Sequence, residues 1–255
     1  MPKYQPPLPA DSVYLYDGTL AGFYCCVFES VYQRELPLAI ETPNGTPRLF
    51  APKYIENNPD KAHRVRESLV KKISKRAEEL VEIVFLSCLP EKELNLLRFL
   101  LFGYEEGGKA VNMLGHPLVA PILAAERHLL GEAHLWKGFL RFADYNGRLA
   151  ATINPKNFVL PFIANHFCMR YSQEDFLIFD STHQAALIYE NKQRQLIHLE
   201  NLQLPPIDED EQEYQALWKR FYDTVAIKAR TNPRCRMILM PKRYWKHMPE
   251  MQDQF

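Results

Sequence analysis

The hydrophobic period of this 255-residue chain changes near Gly131, and that change constrains the fold more than any other feature. Before it, apolar residues recur at helical spacing; after it, they alternate as strands do. Thr19 caps a first stripe, Leu20, Phe23, Tyr24, Val27, Phe28, Val31 and Tyr32, which follows the i, i+3, i+4, i+7 rule. Asn58-Pro59-Asp60 opens another helix with a capping amide, a proline at the first helical position and an acid at the positive end of the dipole. This helix is expected to run to about Phe85, with Ala62, Val65, Leu69, Ile73, Leu80 and Val84 facing inward. Pro37, Pro43, Asn44-Gly45, Pro47 and Pro52 predict an irregular loop between the two. Further helices are expected at about 90–102 and 118–131.

In the second half, Asn146-Gly147 sits between two runs of strand formers and reads as a two-residue hairpin turn. Pairing across it sets Phe142 opposite Ala151 and Leu140 opposite Ile153, with Trp136, Leu140, Phe142, Leu149 and Ile153 on a core face and Arg141 on the other. A short helix at about 159–171 places His166 and Arg170 one turn apart. Residues 176–179, 185–189 and 195–199 read as an antiparallel meander. The expected fold is α+β: a helical N-terminal half packed on a mainly antiparallel sheet, then a C-terminal helix and a basic arm. One mixed domain of two lobes, about 1–131 and 132–255, is the expected organisation.

Apolar residues at 47% and charged residues at 24% exclude disorder over most of the chain. No apolar run approaches the roughly 20 residues of a membrane-spanning helix, and residues 1–10 lack a secretory h-region. A cytoplasmic protein with no membrane partner is expected. The five cysteines show no C-x-x-C spacing, so no disulfide framework, zinc ribbon or iron–sulfur site is written here. Vicinal Cys25-Cys26 reads as a pair of buried thiols. Neither a metal nor a cofactor is expected.

The 31 basic and 31 acidic residues cancel, but their distribution does not. Lys219 to Lys246 holds nine bases against the single acid Asp223, a net +8 that leaves −8 for the rest. Within it stand Lys228, Arg230, Arg234, Arg236, Lys242, Arg243 and Lys246, and Tyr222, Tyr244 and Trp245 interleave aromatic faces on which bases can stack. On the helix from Asn58, Lys61, Arg64, Lys71, Lys72, Lys75 and Arg76 fall within an arc of roughly 140°. These residues, with Arg141 and Arg170, are the candidate nucleic-acid contacts. The alternative is that the basic arm docks on the protein's own acids, such as those between Asp208 and Glu213.

No phosphate-binding loop, dinucleotide fingerprint, H-E-x-x-H or G-x-S-x-G motif is present. The remaining polar constellation is Glu132, His134, Arg141, His166, Arg170, Asp180 and His183. If these converge they suit phosphate recognition or acid–base work, with Glu132, His134, His166 and Asp180 as the catalytic candidates. The structural alternative is a bridge from Glu132 or Asp180 to Arg141. A metal site from His134 and His166 lacks supporting spacing.

At these residues the chain resembles a bacterial family assigned to DNA metabolism or DNA repair, without an established molecular function. The resemblance covers nearly the whole chain. It rests on Tyr14-Leu15-Tyr16-Asp17-Gly18-Thr19 with Gly22-Phe23 and Val27-Phe28-Glu29; on Lys61-Ala62, Arg64-Val65 and Lys72-Ile73-Ser74; and on Phe85-Leu86-Ser87. Further on it rests on Glu132, His134, Trp136, Gly138 to Phe142, His166-Phe167, Arg170, Tyr222 to Ile227, Arg230, Asn232 and Tyr244-Trp245-Lys246. The family's genes commonly neighbour a radical-SAM enzyme of DNA modification or repair, and some relatives are fused to a uracil-DNA glycosylase-like domain. In the family, the aspartate matching Asp180 precedes a Lys-Arg pair; here Ser181-Thr182-His183 follows, so a phosphate contact there falls to His183 or is lost. The resemblance implies a DNA context: a DNA-binding accessory protein, without autonomous activity, that partners a radical-SAM enzyme. The alternatives are an enzyme acting directly on damaged or modified DNA, and a protein-interaction module that binds no DNA.

Overall fold

Thr19, Asn58 and Ser74 each start a helix by accepting backbone N–H groups, and these caps organise the first part of the computed structural model. The structure describes residues 7–43, 50, 52–227, 229 and 232–254. Arg230 and Lys228, two of the basic residues singled out above, lie outside the described residues. The chain divides into two compact units, Met1–Leu129 and Leu130–Phe255. Together they make an α+β protein, and no helix among the described residues is long and apolar enough to cross a membrane.

In the first unit, β2 (Val13–Leu15) lies between β4 (Ala39–Glu41) and β5 (Pro52–Tyr54), parallel to both. A second parallel pair joins β1 (Leu8–Pro9) to β3 (Glu35–Leu36). The proline-rich stretch expected to be irregular thus supplies β4 and β5, each of three residues, whose hydrogen bonds come from β2 rather than from local sequence. α1 (Leu20–Gln33) begins at a tight polar knot. Asp17 Oδ1 accepts from the Thr19 backbone and hydroxyl, and Thr19 Oγ1 accepts from Gly22 N. A Cβ on Gly22 would collide with Asp17 Oδ1, so a larger residue there would have to displace the carboxylate from its bonds to Thr19.

The helix expected from Asn58 to Phe85 is two helices, α2 (Pro59–Lys72) and α3 (Lys75–Phe85). The chain leaves helical geometry at Ile73, and Ser74 Oγ accepts from Ala77 N to restart it. α4 (Lys92–Glu106) follows, and Phe23, Leu69, Leu80, Leu97, Phe99 and Leu100 close a core around these helices. Cys25 and Cys26 are buried free thiols, as expected, and burial pushes the Cys26 thiol up.

α5 (Ala120–Phe139) continues past Gly131, so the expected strand beginning at Trp136 is helical. Trp136 and Leu140, four residues apart, satisfy the helical period as well as the alternating one, which is why spacing alone misassigned them. Only β6 (Ala143–Asp144) remains of that strand. It pairs with β7 (Leu149–Ile153) in the expected register, Ala143 opposite Ala150, around Asn146 and Gly147, both at positive φ. α6 (Leu160–Arg170) then carries the chain to β8 (Phe176–Asp180), parallel to β7. β9 (Ala185–Glu190) and β10 (Gln193–His198) complete the order β10-β9-β8-β7-β6, with every pairing antiparallel except β7–β8. α7 (Glu209–Val225), α8 (Pro233–Leu239) and short 3-10 turns at Lys242–His247 and Pro249–Gln254 end the described chain. Trp136, Ile153, Phe167, Leu187, Tyr244 and Trp245 lie in the second core.

Candidate functional site

In the second unit, three helices and the chain leading to β6 converge on a cleft of about 570 Å³. The end of α5 brings Lys137, the chain leading to β6 brings Arg141 and Phe142, α6 brings Arg170 and Tyr171, and α7 brings Glu211, Tyr214 and Trp218. Phe142 is fixed by packing against Phe167, Tyr171 and Phe176, with ring centroids 5.0–5.6 Å apart. One wall is therefore a rigid aromatic surface.

The charge of the cleft is positive. Arg141 donates to Glu250 Oε1 through Nε and Nη2 and to the Gly138 and Leu140 carbonyls through Nη1, and its guanidinium lies 5.8 Å from the Trp218 ring. That clamp sets its orientation while spending part of its charge. Lys137 and Arg170 form no ion pair among the described residues, and Arg170 lies over Tyr171 at 6.0 Å. Glu211, the one acid in the lining, is buried and accepts from Asp144 N and Gln215 Nε2. Beside the cleft, His166 Nε2 is buried without a hydrogen-bond partner among the described residues; burial, then Lys137 and Arg170, hold its pKa down. Such a site offers guanidinium and ammonium groups to an oxyanion and flat faces to a planar ring.

Of the catalytic candidates, none is hydrogen-bonded or ion-paired to another among the described residues, and none lines this cleft. Glu132 is buried and accepts from Lys156 N, Asn157 N, Asn157 Nδ2 and Arg243. His134 is exposed on α5. Asp180 is fully buried at the end of β8, accepting from Thr182 N and His183 N on Oδ1, with His183 Nδ1 2.7 Å from Oδ2. The bridges expected from Glu132 or Asp180 to Arg141 are replaced by three separate pairs: Glu132 with Arg243, Asp180 with His183, and Arg141 with Glu250.

The basic residues sort in the same way. Tyr244 and Trp245 are buried, so neither ring serves as a stacking platform; Tyr244 packs on Trp136 and Phe139, and the cations of Arg236 and Lys242 lie over Trp245. Arg243 is spent on Glu132 and Tyr244. Arg234 and Lys246 are exposed. In the first unit, Lys71 pairs with Glu67, Lys75 with Glu78 and Arg76 with Glu126, whereas Lys61 and Arg64 lie over the Phe28 ring and Lys72 over Tyr104. Arg64, Lys72, Phe28, Tyr32 and Tyr104 line a second, smaller groove of about 170 Å³. Sequence reasoning singled out Arg141 and Arg170 but not Lys137, Tyr171, Tyr214 or Trp218. The signal available for the last two was a helix carrying large aromatic residues on a face bordered by charge.

No group of three or more His, Cys, Asp or Glu residues able to hold a metal occurs among the described residues. Fold and cleft together define an α+β protein with a cationic, aromatic-walled cleft. The chain belongs to the DUF4130 family, a domain of unknown function, whose family model matches residues 90–250 and so includes every residue that lines the cleft. No curated protein and no solved structure matches the chain.

Proposed function

We propose that this protein binds DNA through the cleft of its second unit, as an accessory component of a DNA repair or modification system whose catalytic partner is a radical-SAM enzyme. The observation that carries the reading is the pairing of Lys137 and Arg170, cations without an ion-pair partner among the described residues, with the aromatic faces of Phe142, Tyr171 and Trp218. Phosphate contacts supply affinity and stacked bases supply sequence-tolerant grip on a single strand. The family resemblance supports the DNA context and the radical-SAM partner.

Fluorescence anisotropy with a labelled single-stranded oligonucleotide, titrated over a range of salt, tests the reading. Arg170→Glu is expected to weaken binding by about tenfold or more and to lower the salt slope by about one. Binding that ignores both salt and this substitution defeats it. Capture of a radical-SAM protein without DNA affinity in either component favours the interaction-module alternative.

A second reading has its own observation. Asp180 holds His183 by Nδ1, which leaves Nε2 of a partly exposed imidazole as the proton-accepting atom, the arrangement a general base requires. Turnover of modified DNA that His183→Gln abolishes, with binding unchanged, would favour an enzyme.

A further inference from the structure

α7 rests on the second unit by a mostly polar face. Glu211 is buried, and Gln215, Lys219 and Tyr222 are half-buried, at i, i+4, i+8 and i+11. The apolar residues lie elsewhere on the helix: Tyr214 is 69% exposed, Leu217 48% and Phe221 58%, with Trp218 beside them at 42%. At about 100° per residue they occupy an arc of about 100°, the width that an amphipathic helix ordinarily turns toward a core. A contiguous apolar face of this kind marks a contact surface.

The charges bordering the arc indicate what covers it. Glu213 and Arg220 are seven residues apart, so both lie on the same flank of the Tyr214–Leu217–Phe221 seam. When two copies of one helix cross about a two-fold axis, each flank meets the same flank of the other copy in reverse order. With the axis beside Leu217, Glu213 of each copy meets Arg220 of the other. The same reversal opposes the two helix dipoles. A parallel arrangement would bring this flank against the opposite one and lose both pairs.

We propose that α7 is a dimerisation helix: a second copy of this chain lays its own α7 antiparallel along the Tyr214–Leu217–Phe221 seam, with two reciprocal Glu213–Arg220 ion pairs. The pattern is self-complementary, which selects a second copy over an unrelated partner. Glu213, Leu217, Arg220 and Phe221 do not line the DNA-binding cleft; Tyr214 and Trp218 border both surfaces, while the other cleft-facing positions, Glu211 and Gln215, centre about 110° around the helix from the seam. Substitutions at Glu213, Leu217 and Arg220 therefore test the dimer without touching a residue that lines the cleft.

Sedimentation velocity of the full chain across a concentration series is expected to show a species of twice the 29.8 kDa chain mass. Glu213→Arg and Arg220→Glu, each alone, are expected to raise the dimer dissociation constant by about tenfold or more, and the double exchange to restore it. Leu217→Cys is expected to yield an oxidative covalent dimer beyond the background from the exposed thiols of Cys88 and Cys235. A wild-type chain that remains monomeric at micromolar concentration overturns the proposal. So does a dimer whose dissociation constant is untouched by both reversals, or a double exchange that fails to rescue while circular dichroism shows the fold intact.

Discussion

Glu132 is an acid whose type and neighbourhood suggest catalysis and whose bonding argues for structure. Its carboxylate accepts from two backbone amides of the segment after β7, from the Asn157 side chain and from Arg243. It thereby ties α5 to the start of α6 and to the C-terminal 3-10 turn, and each donor it satisfies would otherwise be a costly orphan. Truncation removes the buried carboxylate and leaves its amide donors, and the half-buried Arg243, without their acceptor. Glu132→Ala is therefore expected to cost about 3 kcal/mol or more of unfolding free energy, read as a lower urea midpoint. Arg243→Ala should reproduce much of that loss, and the two losses should fall well short of adding in the double variant, because they act on one network. Full additivity would show that the pair is not what holds these segments together.

At the scale of elements, the break between α2 and α3 depends on a single hydroxyl. Ser74 caps α3 through Ala77 N, so Ser74→Ala is expected to destabilise the chain by about 1 kcal/mol, whereas Ser74→Asp, which retains an acceptor, should be close to neutral. Chemical denaturation of both variants checks it. Ser74 went unread as a cap because the apolar stripe of Leu69, Ile73 and Leu80 runs on past it, whereas Thr19, Asn58 and the Asn146-Gly147 turn were legible, each acting within three residues as its local chemistry dictates. What else was not legible depends on partners distant in the chain. β4 and β5 exist through pairing with β2, and the parallel pairing of β7 with β8 depends on the crossover through α6. The cleft follows the same division. Arg141 and Arg170 announce themselves as charges, but Lys137, Tyr171 and Trp218 become neighbours only when α5, α6 and α7 are placed. Tyr244 and Trp245 misled for the opposite reason: interleaving with lysine and arginine suggests a stacking surface, while the cations of Arg236, Lys242 and Arg243 in fact lie over rings whose bodies belong to the core.

Across the whole molecule, the net charge of zero conceals groups whose protonation is coupled to folding. His247 is enclosed beside Trp136, with Nε2 2.5 Å from Asn154 Oδ1; burial, reinforced by Lys246, holds its pKa down to about 4. His166 is shifted in the same direction by burial and by Lys137 and Arg170. A histidine in the unfolded chain takes up its proton near pH 6.5, while these two resist it in the fold. The unfolded state therefore binds more protons below that pH, and stability falls as acid is added. For His247 the stabilising contribution is complete above about pH 6.5, is lost progressively toward pH 4, and changes no further below its folded pKa. Carboxylates such as Glu35, lowered chiefly by its bond from Lys53, and Glu78, lowered chiefly by Lys75, keep their contribution until the pH falls below the ordinary carboxylate range. The two kinds of group thus act in successive windows. Urea midpoints measured from pH 7.5 down to pH 4.5 are expected to decline for the wild type and to decline distinctly less for His247→Gln, which retains an amide donor for Asn154 but cannot take a proton. Parallel declines in the two proteins would show that His247 is not the group that links protonation to folding in this window.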